Sequence, residues 1–267
     1  MKYSDRFQKS AAAVLSLLLM FVFVQSAGSY FIGTLSQYSE LETDIPMEEE
    51  IVKQMVLQLE PVEFYTLQIG SFETAEEGQA YINQLAKMGY RVTVSAGPPY
   101  QVWLGCMGCK PALESFPEEL RHIAADCFVQ KRILNEMSWK FAASDNRQIE
   151  QMAALMSSYD VVLQHSLKMF QDFRYDACSE DNWADMVLQL TEELSLLEDS
   201  AGRILYENTD AFQKEGITEL MNRTVCYRES LGRMQKTKTD RSVLMAQSCL
   251  MELIERYHQF MTTKEHP

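Results

Sequence analysis

Two closely spaced cysteines, Cys106 and Cys109, are the first residues of this sequence whose types and spacing could support chemistry. A Cys-x-x-Cys pair can act as a redox motif, form half of a zinc site or close a local disulfide. Redox activity would require the first cysteine at the start of a helix. Zinc would require a second pair, for which only His122 and Cys127 lie near in the sequence. The spacing therefore favours a structural pair, with zinc binding and redox activity as alternatives.

Signatures of common enzyme classes are missing from the sequence. The chain contains no serine-elbow motif, no Walker loop and no metalloprotease helix. His165 and His258 lie on or beside helical stripes, where a histidine is more often a core-edge residue than a metal ligand. We therefore expect a protein that is not an enzyme and that needs neither a metal ion nor a cofactor.

The net charge of −14 is unevenly distributed along the chain. Acidic residues dominate segments 40–63 and 144–267, whereas acidic and basic residues are nearly balanced over 64–143. Such a composition lacks the basic patch with which proteins bind phosphate backbones, so nucleic acid is not an expected partner. The six cysteines invite disulfides if the chain is exported, although reduced thiols are equally compatible with the sequence.

The N-terminal segment has the properties of a membrane anchor. Residues 10–33 are uncharged and predominantly apolar, and the span matches the roughly 20 residues with which a helix crosses a bilayer. Basic residues in segment 1–9 predict that this tail stays in the cytoplasm and that the bulk of the chain lies outside. A cleaved signal peptide with Ser26-Ala27 as its small-residue site is the alternative.

Residues 63–134 have the strand and helix patterns of a small α+β unit. Alternating residues predict strands at 64–69, 90–95, 100–104 and 127–130, with helices at 74–88 and 111–125. Two helices on one face of a four-stranded antiparallel sheet would leave the other face open. Residues 34–62 are expected to be a linker containing a short amphipathic helix at 47–59, where apolar residues follow helical spacing.

The sequence changes to helical patterns alone over residues 144–267. Apolar residues recur every three or four positions in four successive segments. Short connections between such segments favour antiparallel neighbours, so we expect an all-α helical bundle. Nothing in this part of the sequence indicates the role of that bundle.

The unit at 63–134 also carries a recognisable combination of motifs. Its first strand reads Phe64-Tyr65-Thr66-Leu67-Gln68-Ile69-Gly70-Ser71-Phe72, and a later strand reads Tyr100-Gln101-Val102-Trp103-Leu104-Gly105. A strand ending in Gln-x-Gly-x-Phe, a helix and a strand ending in glycine resemble the SPOR domain over about residues 61–134. The resemblance implies an RNP-like, ferredoxin-like fold. It also implies that the open sheet face binds bacterial peptidoglycan, specifically glycan strands stripped of their peptides.

The resemblance further implies which side chains would contact glycan. Gln68 and Ser71 stand at its contact positions, and Thr66 shares the strand face of Gln68. Gln101 stands where members of the family often carry arginine. Trp103 lies on the same face as Gln101 by alternation, where it would either stack on a sugar ring or be covered by the C-terminal helices.

Together these patterns predict a single-pass protein of the bacterial cytoplasmic membrane, with its N-terminus inside and its bulk outside. We expect it to bind peptidoglycan glycan strands in cell-envelope, division or sporulation processes. The alternative is a membrane-anchored scaffold that binds a protein partner through residues 144–267, with the SPOR-like fold acting only as a spacer.

Overall fold

The computed structural model describes residues 53–95, 97–110, 127–134, 139–143, 146–170, 180–207 and 211–262. The predicted anchor at 10–33, most of the predicted linker and the predicted helix at 111–125 lie outside these ranges. Within them, no helix combines the length and the apolar character that crossing a bilayer requires. The described chain is α+β, with a four-stranded antiparallel sheet and five helices.

In the four-stranded sheet, the first strand along the chain lies beside the last. It contains β2 (Val62–Phe72), β3 (Thr93–Val94), β4 (Tyr100–Met107) and β5 (Phe128–Leu134) in the order β3-β4-β2-β5. The central strand β2 is antiparallel to both of its neighbours, and Gln68 lies opposite Trp103 on β4 and Phe128 on β5. Directly paired residues point to the same side of a sheet, so these three side chains share one face.

Helix α1 (Ala75–Lys87) connects β2 to β3 and packs on the other face. The Thr74 hydroxyl accepts a hydrogen bond from the Glu77 amide at 3.3 Å, which caps the first turn of the helix. Gly89 ends the helix with a φ of 83°, a left-handed conformation in which glycine has no steric penalty. Ile69 and Leu85 are buried on this side of the sheet.

A second, two-stranded sheet corrects one prediction. Residues Lys53–Leu57 form strand β1, which pairs antiparallel with β6 (Trp139–Ala143), whereas the sequence predicted a helix at 47–59. The described part of that segment is extended because it pairs with β6. The partner strand lies far along the chain, so no local pattern indicates the pairing. Such long-range pairing can override a local helical pattern. Leu57 is buried and Val56 is exposed, as the two-residue period of a strand requires.

The C-terminal part contains the four helices that the sequence predicts. They are α2 (Asn146–Met169), α3 (Glu180–Tyr206), α4 (Ala211–Thr237) and α5 (Asp240–Thr262). Helix α4 packs against both α3 and α5, and α2 packs against α3. Their buried residues follow the three- and four-residue spacing of the sequence pattern, as in Leu190, Leu194, Leu197 and Ala201 of α3.

Helix α5 also lies against the sheet, on the face opposite α1. The sequence predicted that this face would be open, and over much of its area that prediction is wrong. Helix α5 buries residues around its whole circumference, so it needs neighbours on more than one side. Helix α4 covers one side of it and the sheet covers another, which joins the sheet and the helices in one compact unit.

Candidate functional site

The sheet face opposite α1 has two parts that differ in exposure. We call Thr66, Trp103, Cys106 and Arg132, which lie beneath α5, the covered half. We call Gln68, Ser71, Gln101 and Phe128, which are half-buried or exposed, the open end. The strand register pairs Thr66 with Cys106 in the covered half and Ser71 with Gln101 in the open end. Gln68 lies at the boundary, between Trp103 of the covered half and Phe128 of the open end.

Trp103 lies at the centre of the covered half and is only 3% exposed. The guanidinium carbon of Arg132 lies 4.8 Å from the centre of the Trp103 ring and 5.6 Å from that of Phe64, within the range of cation–π attraction. Arg132 also forms an ion pair with Glu255 of α5, with an N–O distance of 2.5 Å. The sequence left open whether Trp103 stacks on a sugar ring or is covered by the C-terminal helices. In this structure its ring is covered.

Backbone carbonyls and short polar side chains attach α5 to the sheet. The Ser248 hydroxyl lies 2.6 Å from the Arg91 carbonyl oxygen and 2.5 Å from that of Leu104. In the opposite direction, the Thr93 hydroxyl donates to the Ser248 carbonyl at 3.4 Å. Cys106 contacts the Gln247 carbonyl at 3.6 Å, and complete burial raises the pKa of its thiol. Cys106 is therefore an uncharged side chain inside this interface.

A second ion pair fixes α5 at the β3 side of the sheet. Arg91 donates two hydrogen bonds of 2.7 Å to the two carboxylate oxygens of Glu252. Arg223 of α4 donates a further bond of 2.7 Å to the same carboxylate. The hydrogen bond to Glu252 raises the pKa of Arg91. Paired, bidentate geometry of this kind is the strongest form of arginine–carboxylate contact.

Three neutral polar atoms of this sheet face are buried without a hydrogen-bond partner. They are Thr66 Oγ1, Trp103 Nε1 and Gln130 Oε1. Thr66 is only 1% exposed, so water does not replace the missing partner. A buried polar atom without a partner costs about 1–3 kcal/mol. Between α5 and the sheet, the charged side chains thus form ion pairs, whereas several neutral polar groups have no hydrogen-bond partner.

The open end presents hydrogen-bonding groups beside an aromatic ring. Ser71 is exposed, and Gln68 and Gln101 are half-buried. Phe128 is 67% exposed and lies directly opposite Gln68. Shifts in register on both sides of Gln68 change the spacing between β2 and β4 at this point. Amide and hydroxyl groups next to an exposed ring can bind a ligand that is polar at its edges and apolar on one face.

Sequence reasoning missed Phe128 as a member of this set. The residue lies at the start of the predicted fourth strand, but its face could not be assigned without the register between β5 and β2. An exposed aromatic residue at the edge of a sheet is the signal that the structure adds.

Comparison with known proteins assigns this part of the chain. The family model for the SPOR domain matches residues 61–129. Residues 61–129 form a SPOR domain. The chain has no significant match among curated proteins or among solved structures. The match contains every residue of the open end, while helices α2 to α5 lie outside it.

Two motif residues of the SPOR domain have structural roles. A Cβ atom on Gly70 would lie 2.8 Å from the ring of Phe72 and 3.3 Å from that of Tyr81. The Tyr81 hydroxyl donates to the Ile69 carbonyl at 3.2 Å, and its ring packs on Phe72 with centroids 5.3 Å apart. The absence of a side chain at Gly70 therefore lets α1 approach the end of β2.

The Cys-x-x-Cys segment connects the SPOR domain to the helices. The Gly108 amide donates to the carbonyls of Leu167 and Phe170 at the end of α2, both at 3.1 Å. A Cβ atom on Gly108 would lie 2.5 Å from the Leu167 carbonyl oxygen. Cys106 is buried and Cys109 is exposed, so the two thiols occupy different environments. Within the described ranges, no group of three or more His, Cys, Asp or Glu side chains could hold a metal ion.

Proposed function

We propose that this protein binds peptidoglycan glycan strands through the open end of its SPOR domain. The observation that carries the proposal is the position of Gln68 opposite the exposed Phe128, with Ser71 and Gln101 beside them. Two of these residues, Gln68 and Ser71, are the ones that the resemblance to the family assigns to glycan contact. Ser71 is exposed and Gln68 is half-buried, whereas Thr66 and Trp103 on the same face are buried.

The chemistry of the open end suits an amino-sugar polymer. Sugar hydroxyl groups and N-acetyl groups donate and accept hydrogen bonds, which Gln68, Gln101 and Ser71 can return. One face of each sugar ring is apolar, and an aromatic side chain such as Phe128 can stack on it. The role that the sequence allowed for Trp103 is thereby supplied by Phe128, while Thr66 and Trp103 remain candidates for a conformation in which α5 leaves the sheet.

The location of the protein is part of the same proposal. Residues 10–33 would anchor the chain in the cytoplasmic membrane with its bulk outside, where peptidoglycan is found. A glycan-binding protein held at the membrane would act in envelope processes such as cell division or sporulation. The proposed activity is binding rather than catalysis.

One observation favours a protein-binding role for the helices as well. Leu188 and Leu196 on α3 are 57% and 66% exposed and lie about two turns apart on the same helix. Exposed leucines that recur on one helix face are typical of contact surfaces. In this alternative, the SPOR domain would be a spacer and substitutions in its open end would leave function unchanged.

Sedimentation with cell-wall material tests the main proposal. The full chain should pellet with peptide-stripped peptidoglycan, and Gln68→Ala or Phe128→Ala should each weaken binding by about 1–3 kcal/mol. Tyr206→Ala is a matched control, because Tyr206 is an aromatic residue that is 90% exposed on a helix far along the chain. Equal pelleting by the wild type and both site variants would exclude the open end as the binding site.

A further inference from the structure

Two arginines of the sheet each hold a carboxylate of α5. Arg91, just before β3, binds Glu252 through two hydrogen bonds of 2.7 Å. Arg132, on β5, forms an ion pair with Glu255 at 2.5 Å. Glu252 and Glu255 lie three residues apart, so they occupy neighbouring positions on one side of the helix. The face therefore already contains two positions at which arginine binds carboxylate, and α5 occupies both.

The ligand of the proposed function carries the same chemical group. Removing the peptide from a muramic acid residue breaks the amide bond at its lactyl group and leaves a carboxylate. Peptide-stripped strands therefore carry repeated carboxylates, whereas strands that retain their peptides lack them at this position. Arginine binds carboxylates in a planar, two-point geometry that lysine cannot match.

We propose that Arg91 and Arg132 form a carboxylate-binding subsite for peptide-stripped glycan, and that α5 occupies it with Glu252 and Glu255 as internal mimics. The inference rests on the proposed function of the SPOR domain. It adds that the protein binds glycan through the open end alone while α5 lies on the sheet, a state that we call the closed form. When α5 leaves the sheet, the site extends across Thr66, Trp103 and the two arginines.

Groups of a glycan strand could replace α5 as the partners of the sheet residues beneath it. Thr66 Oγ1, Trp103 Nε1 and Gln130 Oε1 have no hydrogen-bond partner beneath the helix, and the hydroxyl and amide groups of a glycan could provide one. Arg132 covers the Trp103 ring, so its departure with a new carboxylate would uncover an aromatic surface. Glu252 would keep a partner after release, because Arg223 on the neighbouring helix α4 also binds it at 2.7 Å.

Charge-neutral variants of α5 test this inference in the full chain. The double variant E252Q/E255Q retains side-chain shape and removes both internal carboxylates. It should bind peptide-stripped glycan between about 5-fold and 150-fold more tightly than the wild type, the usual range for coupled sites. Adding R91Q and R132Q to that background should abolish the gain. The gain should also be absent with glycan whose lactyl carboxylates have been converted to methylamides.

E198Q is the matched control. Glu198 forms a bidentate pair with Arg228 in the helices and is 18% exposed, against 16% for Glu252, but it does not contact the sheet arginines. This variant should bind glycan with the affinity of the wild type. A gain in E198Q equal to that of the double variant would indicate general loosening of the helices and would overturn the proposal.

A second measurement uses the unaltered protein, so it does not depend on the folding of any variant. Cys106 is fully buried beneath α5. Saturating peptide-stripped glycan should accelerate maleimide labelling of Cys106, while the exposed Cys109 should be labelled at an unchanged rate. If Gln68→Ala weakens binding but glycan leaves Cys106 protected and E252Q/E255Q binds no more tightly, the subsite is wrong and the open end stands. If Gln68→Ala has no effect on binding, the proposed function itself fails.

Discussion

Arg132 lies over the ring of Trp103, with its guanidinium carbon 4.8 Å from the ring centre. The tryptophan that could have stacked on a sugar is therefore occupied by a side chain of the same protein, and Glu255 of α5 holds that arginine in place. Two roles of an aromatic residue on a sheet, packing in the interior and contact with a ligand, therefore belong to different residues. Trp103 is buried, and Phe128 exposes a ring on the same sheet face.

Substitution of Trp103 should therefore affect folding. Trp103→Ala removes a buried aromatic side chain and should lower the free energy of unfolding by about 3–5 kcal/mol. Phe128→Ala removes an exposed ring and should change it by less than about 0.5 kcal/mol. Urea denaturation followed by circular dichroism measures both. Similar stabilities for the two variants would contradict the assignment of Trp103 to the interior.

Gly108 should be the least replaceable glycine in the connection between sheet and helices. Gly108→Ala would place a Cβ atom 2.5 Å from the Leu167 carbonyl oxygen, which is backbone and cannot rotate away. We expect a loss of about 1–3 kcal/mol from forced overpacking. Gly232→Ala is the control, because a Cβ atom there meets nothing within 4 Å. In the interior of α4 it should raise stability by about 0.5–1 kcal/mol, and a loss in that variant would show that the comparison is unsound.

The reactivity of Cys249 should have an unusual pH dependence. Burial raises the pKa of its thiol to about 12. Since a thiolate is the reactive form and forms only as pH approaches the pKa, iodoacetamide labelling should still be rising at pH 10. The same cysteine in denaturant should reach half of its maximum rate near pH 8.5–9, around the ordinary pKa of a thiol. Mass spectrometry of the labelled peptides gives both profiles, and a half-maximal rate near pH 8.5–9 in the folded protein would refute the burial.

The distance between membrane and binding face should restrict where the protein acts. The described unit begins at β1, so only residues 34–52 separate it from the proposed anchor. Fully extended, that segment spans at most about 65 Å, at about 3.3–3.6 Å per residue. We expect localisation to membrane-proximal glycan, and a Gly/Ser insertion that doubles the segment should broaden the pattern in fluorescence microscopy. An unchanged pattern would mean that reach is not limiting.

Much of the fold could be predicted from local sequence patterns. The four helices follow apolar spacing that is set within each helix, and α1 begins after the capping residue Thr74 and ends at Gly89. Strand β1 could not be predicted because its partner β6 lies more than eighty residues away. The packing of α5 on the sheet could not be predicted for the same reason. Thr93 and Ser248, which join the two elements, are 155 positions apart, and neither has a local pattern that indicates the other.

The candidate site was predictable to the extent that it depends on alternation within one strand. Thr66 and Gln68 do share a face with Trp103, as the alternation and the register together require. Their exposure depends on α5, and Phe128 enters the set only through pairing between β5 and β2. Contacts between elements, rather than residue types, decide which part of the face remains open.

Photocrosslinking of peptide-stripped glycan to the full chain tests the central claim most directly. Glycan strands carrying a diazirine should attach to the SPOR domain at or beside Gln68, Ser71, Gln101 and Phe128, as mapped by mass spectrometry of the crosslinked peptides. Unlabelled peptide-stripped strands should suppress these crosslinks by competition. Crosslinks confined to helices α2 to α4, or spread over the surface without competition, would contradict the claim that this sheet face binds glycan.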